Sequence, residues 1–391
     1  VSLWGHRVGM IVPTGMRGES YAFQYDQKFL KSGIEISPLM MPLRREPYAF
    51  LDLPRSEYSG LPPAFADSLP DAFGRGLIDR WLEDRGYIRS EITALDRLSY
   101  IGRRATGALM YEPDHGPGGR PDAFEMRNLV EAARKAVNGE LADLDGAEAL
   151  RAIIRIGSSV GGAQAKALVG WNRSTDQFLF GDRYLPEGFE HWIIKFTPRE
   201  YPWRGEKEFE IYKKACAAGI TMSECALYKL DGLSHFMTKR FDRDRARHHH
   251  VQTLSAMAHF PMSVPLEFRT YEQYLATVDA LHLGYDAMEE AFRRIVFNVA
   301  IDECDDHTKN FAFMLKEDGE WELAPAYDLT GSDFPSNDPW TAHGGNHQLS
   351  INGRRSQISD KDLLEVADRF AIGTAERVLK DVKSVVVNRR S

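Results

Sequence analysis

The sequence has few cysteines, and they form no recognisable framework. Among 391 residues only Cys216, Cys225 and Cys304 are cysteines, and no two of them make a Cys-x-x-Cys pair. This spacing argues against a disulfide scaffold and against a structural zinc site. We therefore expect a reducing, cytoplasmic environment.

Long apolar runs and an excess of positive charge are also missing. No run of about 18 apolar residues occurs, and no cationic segment followed by an apolar stretch opens the sequence, so we expect a soluble protein with no membrane association. The formal net charge is −8. This charge argues against a surface that binds nucleic acid by itself through phosphate neutralisation. Any role at DNA is expected to come through a partner.

The length and the order of the sequence patterns predict more than one core-forming part. Short strand-like segments such as Val8–Pro13 and Tyr21–Tyr25, with a helical stretch near Asp71–Arg85, predict a small mixed module at the start. A Gly/Pro cluster at 114–121 marks its end. The predicted domains are an N-terminal subdomain, a nucleotide-binding lobe and a helical C-terminal lobe, over residues 1–112, 122–245 and 246–391.

The middle of the chain reads as a small sheet followed by a helix. Strand patterns cover Ala167–Val169, Gln177–Phe180 and His191–Phe196, and a helical pattern runs from Glu206 to Ala218, ended by Gly219. A sheet lobe followed by a mostly helical half is the order of a kinase. We predict an α+β fold with a bilobal protein-kinase-like core, whose larger lobe is all-helical.

The strongest chemical signal is the segment Asp305-Asp306-His307-Thr308-Lys309-Asn310. Phosphoryl transfer by a kinase needs a carboxylate facing the attacking hydroxyl and, five residues later, an Asn on the metal. Asp305 and Asn310 have that spacing. Taken alone, the segment could also be a solvated polar loop.

A predicted hairpin follows this segment and supports the catalytic interpretation. Phe311–Leu315 and Trp321–Ala324 flank the turn Lys316–Glu320, so Asp328 should be carried back towards Asn310. Oxygen ligands from Asp and Asn suit Mg²⁺, which takes a few carboxylates plus phosphate oxygens. The spacing therefore predicts an ATP- and Mg²⁺-dependent phosphoryl transferase.

Lys195 lies in the apolar strand pattern His191–Phe196. An inward-facing cation is costly there unless it has an anionic partner. ATP phosphates together with Glu208, on the following helix, would supply that partner. The alternative is a strand lysine whose amine reaches water; with the Asp/Asn segment present, we favour an ATP-binding lysine.

A Gly-rich segment precedes that strand. Residues 157–166 read Gly-Ser-Ser-Val-Gly-Gly-Ala-Gln-Ala-Lys, whose backbone N–H groups could surround phosphates. The segment is not a Walker A loop, because no Lys follows Gly162 directly. Its position is nevertheless where a kinase needs a loop over the phosphates.

Two further segments are less specific. Met237–Arg243 reads as a strand entering a charged turn, with Phe241 either lining an adenine slot or simply buried. His248, His249 and His250 have no second cluster with metal-ligand spacing, so we interpret them as a mostly solvated, basic loop.

Taken together, these motifs resemble the HipA family of serine/threonine kinases, which are toxins of type II toxin–antitoxin systems associated with growth arrest and persistence. The resemblance covers nearly the whole chain. It is carried by Ser159–Lys166, Ile194–Pro198, Arg240–Arg243, Asp305–Asn310 and Pro325–Asp328, and by three segments of the N-terminal part, Gly5–Gly9, Phe23–Asp26 and Leu69–Arg75.

The resemblance implies that Asp305 is the catalytic base, that Asn310 and Asp328 are Mg²⁺ ligands, and that Lys195 contacts the ATP phosphates. It also implies that Ser159, or less readily Ser158, is autophosphorylated. A phosphate there would place about −1.5 to −2 charges where the nucleotide phosphates sit, which should switch the kinase off. The full predicted ATP-binding set is Lys195, Lys166, Val160, Gly161, Gly162, Ala163, Gln164, Lys239, Phe241, His307, Lys309, Asn310 and Asp328.

The implied partners are a helix-turn-helix antitoxin of the HipB type, through which DNA would be bound, and a protein substrate such as an aminoacyl-tRNA synthetase. Ala165, where the family usually has Glu, and Lys239, where some members have Glu, put only fine nucleotide contacts in question. Two alternatives stay open: a weakly active co-repressor that works by binding its antitoxin, and a kinase for a small molecule.

Overall fold

The computed structural model describes residues 1–15, 19–70, 72–116, 126–127, 129–130, 166–180, 185–244, 247–331 and 345–387. The chain divides into two compact units. The first contains residues 1–36, 43–206 and 224–251, and the second contains residues 37–42, 207–223 and 252–391.

Among the described residues, the N-terminal part of the first unit has two small sheets and four α-helices. The strands are β1 (Ser2–Leu3), β2 (His6–Arg7), β3 (Gly9–Pro13), β4 (Tyr21–Tyr25), β5 (Tyr48–Ala49) and β6 (Leu109–Met110), in the orders β2-β1-β6 and β3-β4-β5. The helices are α1 (Arg55–Tyr58), α2 (Pro63–Ala66), α3 (Ala72–Glu83) and α4 (Ala94–Ile101). Thr93 and Asp96 form a capping box that begins α4.

The rest of the first unit is built on a five-stranded antiparallel sheet. Its order is β10-β11-β9-β7-β8, with strands β7 (Lys166–Asn172), β8 (Gln177–Phe180), β9 (Glu190–Lys195), β10 (Cys225–Leu230) and β11 (Leu233–Lys239). Its core packs around the fully buried Trp192, with Ile194, Leu168 and Met237. A two-stranded pair, β12 (Arg243–Asp244) and β13 (Arg247–His248), follows.

The turn between β10 and β11 shows why this hairpin forms. Asp231 and Gly232 both have positive φ, at 51° and 76°, and Leu230 pairs with Leu233. A two-residue Asp-Gly turn of this kind matches the right-handed twist of the strands that it joins. The register of the two strands follows from this turn.

The second unit combines helices with a three-stranded sheet in the order β14-β15-β16. The strands are β14 (His250–Thr253), β15 (Ala312–Leu315) and β16 (Trp321–Leu323), and the helices are α5 (Arg204–Ala217), α6 (Leu254–Met257), α7 (Tyr271–Ala280), α8 (Tyr285–Ala300), α9 (Asp360–Arg369) and α10 (Ala375–Val387). Residues 250–251 of β14 and 204–206 of α5 belong to the first unit. The core packs around Tyr271, Phe292, Phe297 and Phe313, which are fully buried. Ser359 and Asp362 form a capping box that begins α9.

Several predicted elements are confirmed. Strands at 21–25 and 177–180 have the predicted bounds, and the helices near 71–85 and 206–218 are present with ends shifted by one to two residues. The prediction of an all-helical larger lobe is wrong, because β15 and β16 form a hairpin inside the second unit. Residues 126–127 and 129–130 are helical. The three-part domain division stays a prediction.

The interpretation of the three histidines as a solvated, basic loop is also wrong. His248 ends β13 and His250 begins β14, where the ring Nε2 of His250 lies 3.0 Å from the carbonyl oxygen of Ile36. Burial lowers the pKa of both His248 and His250 to about 4. Tertiary packing therefore keeps these side chains neutral. No helix in the described part of the chain is long and apolar enough to cross a membrane.

Candidate active site

The loop from α8 to β15 carries the Asp305–Asn310 motif. Helix α8 buries its apolar side in the core of the second unit, so the loop starts from a fixed end. Asn310 Nδ2 donates a hydrogen bond to the Asp305 carbonyl oxygen at 2.8 Å. The five-residue spacing thus closes the loop on itself and leaves the Asn310 Oδ1 as the amide atom that can ligate a cation.

The hairpin returns the chain to this loop, as predicted. Strands β15 and β16 pair in antiparallel register, and the Ala326 N–H then donates to the Thr221 carbonyl oxygen at 2.8 Å. The Tyr327 hydroxyl donates to the Lys309 carbonyl oxygen at 2.6 Å, which ties the two loops together directly. Asp328 follows with a φ of 56°, a left-handed conformation that Asp tolerates better than most residues.

These residues line one small cavity of about 20 Å³ within the second unit. Asp305, Asn310 and Asp328 lie on its wall together with further polar residues, which are Arg294, Asn298, Glu303, Asp306 and Tyr327. A space of this size holds a single water molecule or a bare ion. The structure therefore brings the three predicted catalytic and metal residues together.

The donors around this cavity suit Mg²⁺. They are oxygen atoms of Asp and Asn, and the buried Oδ1 of Asn298 has no hydrogen-bond partner within the described residues. In the same part of the chain no group of three or more His, Cys, Asp or Glu side chains is placed to hold a metal ion by itself. Mg²⁺ fits such a partial set, because it keeps waters and substrate phosphates as further ligands.

A buried network fixes Asp306, the neighbour of the predicted base. Its Oδ2 accepts hydrogen bonds from the Tyr271 hydroxyl at 2.7 Å and from His347 Nδ1 at 2.8 Å, and its Oδ1 accepts from the Gln348 N–H at 2.6 Å. Burial alone would lower the pKa of His347, but the hydrogen bond to Asp306 and its negative charge outweigh burial and raise that pKa. Asp306 is therefore a structural anchor of the loop.

Two residues near Asp305 were missed by the sequence analysis. Gln348 Nε2 donates to Asp305 Oδ1 at 3.0 Å, and Glu303 Oε1 accepts from the Asp305 N–H at 3.0 Å. Burial raises the pKa of Glu303 to about 7 although backbone N–H groups bind its carboxylate. Glu303 lies two residues before Asp305, so the sequence places it next to the motif. No local signal connects Gln348 with Asp305, which lies 43 positions earlier.

The predicted ATP-binding residues His307 and Lys309 both belong to the motif loop. The His307 ring Nε2 is 3.8 Å from Asp305 Oδ1, which is too far for a hydrogen bond. Burial lowers the pKa of His307, so the imidazole is neutral. The Lys309 backbone accepts the Tyr327 hydroxyl, as described above.

In the first unit, Lys195 and Lys166 are direct cross-strand partners on β9 and β7. Both are buried, with 7% and 6% of their surface exposed. Directly opposite residues share one face of a sheet, so both lysine side chains extend from the same face. Their contact with ATP phosphates stays a prediction.

Glu208, the predicted partner of Lys195, is buried on α5 in the second unit. Lys195 belongs to the first unit, and the proposed pairing of the two stays a prediction. Lys239, at the end of β11, forms an ion pair with Glu190. Phe241 is partly buried in the turn that follows.

The residues around Phe241 form a buried ionic cluster. Asp242 accepts hydrogen bonds from Arg240 at 2.7 Å and from Arg243 at 2.7 Å, and it also accepts the Gly107 N–H at 2.8 Å. Arg243 donates in turn to the carbonyl oxygens of Ala105 and Gly107. Burial opposes ionisation, but the two guanidinium groups hold the pKa of Asp242 well below its usual range. This segment thus fastens the end of the N-terminal part within the first unit.

The Gly-rich loop lies outside the described residues. The predicted autophosphorylation sites Ser158 and Ser159 and the predicted ATP-binding residues Val160, Gly161, Gly162, Ala163 and Gln164 belong to it. Their roles stay predictions.

Comparison with known proteins identifies the family. The profile of the HipA N-terminal domain matches residues 1–112, and that of the HipA-like C-terminal domain matches residues 158–389.

Two curated relatives are both named "Putative kinase". The first, Y4dM of Sinorhizobium fredii, is 23% identical over 342 residues, which cover 84% of this chain and 76% of the relative. The second, from Haemophilus influenzae, is 28% identical over 161 residues, which cover 37% of this chain and 46% of the relative.

A solved structure has a similar fold. It is HipA from the Shewanella oneidensis toxin–antitoxin system, in a complex of HipA, HipB and operator DNA. The TM-score is 0.67 at 16% identity, and the match covers 98% of this chain and 86% of that one. The mixed α/β fold is thus HipA-like, and the two profiles together span most of the sequence. The chain belongs to the HipA family.

Proposed function

We propose that this chain is an ATP- and Mg²⁺-dependent serine/threonine-protein kinase with a bilobal kinase-like core. The observation that carries the proposal is the single cavity lined by Asp305, Asn310 and Asp328. A kinase needs a general base and two oxygen ligands for Mg²⁺ in one place. The names of the two curated relatives agree with this activity.

The buried lysine pair supports the nucleotide half of the proposal. Lys166 and Lys195 would hold the ATP phosphates, because both are buried and directly opposite each other on one face of the sheet. Nucleotide binding should accordingly stabilise the first unit.

In the proposed reaction the oxygen of a Ser or Thr hydroxyl attacks the γ-phosphorus, and Asp305 accepts the proton of that hydroxyl. The new bond is oxygen to phosphorus, and the bond to the bridging oxygen of ADP breaks. Gln348 holds the Asp305 carboxylate through Oδ1. Asn310 and Asp328 would hold Mg²⁺, which neutralises phosphate charge when bound.

The biological role proposed is that of a type II toxin. The HipA neighbour was solved with HipB and operator DNA, which supports a HipB-type antitoxin as partner of this chain and an indirect contact with DNA. The proposed target is a translation protein, with an aminoacyl-tRNA synthetase as the first candidate. Phosphorylation of Ser159 in the Gly-rich loop would inactivate the toxin.

The test is transfer of labelled phosphate from ATP by the purified chain, alone and in a cell extract, with mass spectrometry of every labelled protein. The proposal expects label on Ser or Thr of a protein and none with Asp305→Asn. Asp302→Asn is the matched control, because Asp302 is exposed in the same loop and should leave the rate unchanged.

Four outcomes would overturn parts of the proposal. A wild-type rate from Asp305→Asn would remove the assigned base. Label on small molecules alone would favour a metabolite kinase. No transfer at all, combined with tight binding to the antitoxin–operator complex, would favour the co-repressor. Phosphate on Ser158 but not on Ser159 would move the regulatory site by one residue.

A further inference from the structure

Glu303 is a buried carboxylate between the two loops of the candidate site. Its side chain is almost inaccessible, with 2% of the residue exposed. Its own N–H donates to the Asn298 carbonyl oxygen at 2.8 Å, so its backbone is fixed at the end of α8. The backbone that carries the carboxylate is therefore fixed, and the buried side chain has little conformational freedom.

The carboxylate binds two loops. Oε1 accepts the N–H of Asp305 at 3.0 Å, in the loop that carries the proposed base, and the Thr330 hydroxyl lies 3.3 Å from each carboxylate oxygen. Oε2 accepts the N–H of Gly331 at 2.7 Å and also the N–H of Thr330, just after Asp328. One side chain thus joins the loop of the proposed base to the loop of the proposed metal ligand.

This arrangement does more than satisfy a buried charge. Hydrogen bonds from backbone N–H groups to a carboxylate are charge-assisted, and they fix the backbone from which each functional side chain projects. A further link between the loops, from the Tyr327 hydroxyl to the Lys309 carbonyl oxygen, lies on the opposite side of Asp328 in sequence. A shift of about 1 Å between reacting groups can cost about 100-fold in rate.

We propose that Glu303 is a positioning residue that holds Asp305 and Asp328 at their working separation by bridging the two loops. This inference rests on the proposed kinase function. It assigns Glu303 no contact with substrate or metal. It predicts that the rate of phosphate transfer depends on the hydrogen bonds from Glu303 to both loops, and not on its negative charge alone.

Two substitutions of Glu303 distinguish the effect of bridging the two loops from the effect of the negative charge. Glu303→Gln keeps the length but turns one oxygen into an N–H₂ group that faces a backbone donor, so one loop loses its acceptor. Glu303→Asp keeps the charge but is one methylene shorter, so it cannot reach both loops. Asp362→Asn is the matched control, because Asp362 is a buried carboxylate of the same unit that accepts the Ser359 N–H and caps α9.

The measurements are kcat, the Mg²⁺ concentration for half-maximal rate, Tm, and amide hydrogen exchange of peptides containing Asp305, Thr330 and Gly331, all well below the lowest Tm. Both Glu303 variants should lower kcat at least tenfold, raise the half-saturating Mg²⁺ concentration and speed exchange at these amides. Asp362→Asn should lower Tm and change none of the other three.

Wild-type kcat and Mg²⁺ dependence in both folded Glu303 variants would overturn the inference, even with a lower Tm, since Glu303 would then serve stability alone. If the wild-type chain transfers no phosphate, the proposed function fails instead, and a Mn²⁺ titration followed by electron paramagnetic resonance takes the place of the rate. Weaker Mn²⁺ binding together with faster exchange would still support the bridge, and unchanged binding would reject it.

Discussion

At the scale of single residues, the site depends on hydrogen bonds that orient charged groups. The Gln348 side chain donates to Asp305, while its backbone N–H is held by Asp306 independently of the side chain. Truncation of the Gln348 side chain should therefore remove a hydrogen bond from the Asp305 carboxylate, while the backbone of residue 348 stays bound to Asp306. The same separation of roles makes the residue a clean probe of the site.

We expect Gln348→Ala to lower kcat about tenfold and to leave the KM for ATP unchanged. A hydrogen bond to a charged group contributes about 1.5 kcal/mol, which corresponds to that factor. Steady-state phosphate transfer provides the measurement, with Gln273→Ala on the exposed side of α7 as control. An unchanged kcat would show that Asp305 needs no support from Gln348.

The buried lysines provide a second test at this scale. Lys166→Met and Lys195→Met keep the side-chain length but remove a charge, so each should abolish most of the rise in Tm that ATP produces. Ligand at 100 times its Kd stabilises a protein by about 2.7 kcal/mol, which a thermal shift readily detects. Lys229→Met, at an exposed position on β10 of the same sheet, should keep the wild-type shift. A full shift in the two buried variants would contradict phosphate binding there.

At the scale of elements, backbone conformation decides which glycines are required. Gly232 in the β10–β11 turn has a φ of 76°, whereas Gly76 lies inside α3 and its φ is not positive. A Cβ added at either position would meet no other atom within 4 Å. Any effect of Ala at these positions must therefore come from the backbone and not from packing.

Ala at the two positions should have opposite effects. Gly232→Ala should lower the free energy of unfolding by about 1 kcal/mol, because Ala resists the left-handed region. Gly76→Ala should raise it by about 0.5–1 kcal/mol, because Gly is a poor helix former. Urea denaturation monitored by circular dichroism measures both. A destabilised Gly76→Ala chain would indicate that α3 needs its glycine for another reason.

At the scale of the whole molecule, buried titratable groups make stability depend on pH. In the first unit, burial together with nearby Arg240 and Arg243 lowers the pKa of His191 to about 3, and burial lowers that of His250 to about 4. Folding favours their neutral form, so their contribution is complete above the unfolded pKa of about 6.5 and is lost as pH falls towards 4. Asp242, with a depressed pKa, acts in the same direction at lower pH.

The first unit should therefore lose stability between pH 7 and pH 4. His250→Gln can still donate to the Ile36 carbonyl oxygen but does not titrate, so it should reduce the slope of unfolding free energy against pH by up to about 1.4 kcal/mol per pH unit. His6→Gln, at an exposed position, is the control. Urea unfolding at several pH values measures the slope, and an unchanged slope in His250→Gln would contradict the assignment.

His347 in the second unit acts in the opposite sense, because its raised pKa gives stability that is lost as pH rises.

The sequence by itself determined the features that are local. The spacing of Asp305 and Asn310, the Asp-Gly turn, the hairpin that leads to Asp328 and the motifs of the HipA family all lie within short segments. Local backbone geometry governs such segments, so pattern and turn chemistry predict them.

Only the tertiary structure decided which distant groups meet. The contact of Gln348 with Asp305, the cross-strand pairing of Lys166 with Lys195 and the fastening of Gly107 by Asp242 each join residues tens of positions apart. The burial of His250 was likewise invisible, because a histidine run carries no local sign of which ring faces the core. Strand register and packing of the whole chain determine these contacts, and no local pattern encodes them.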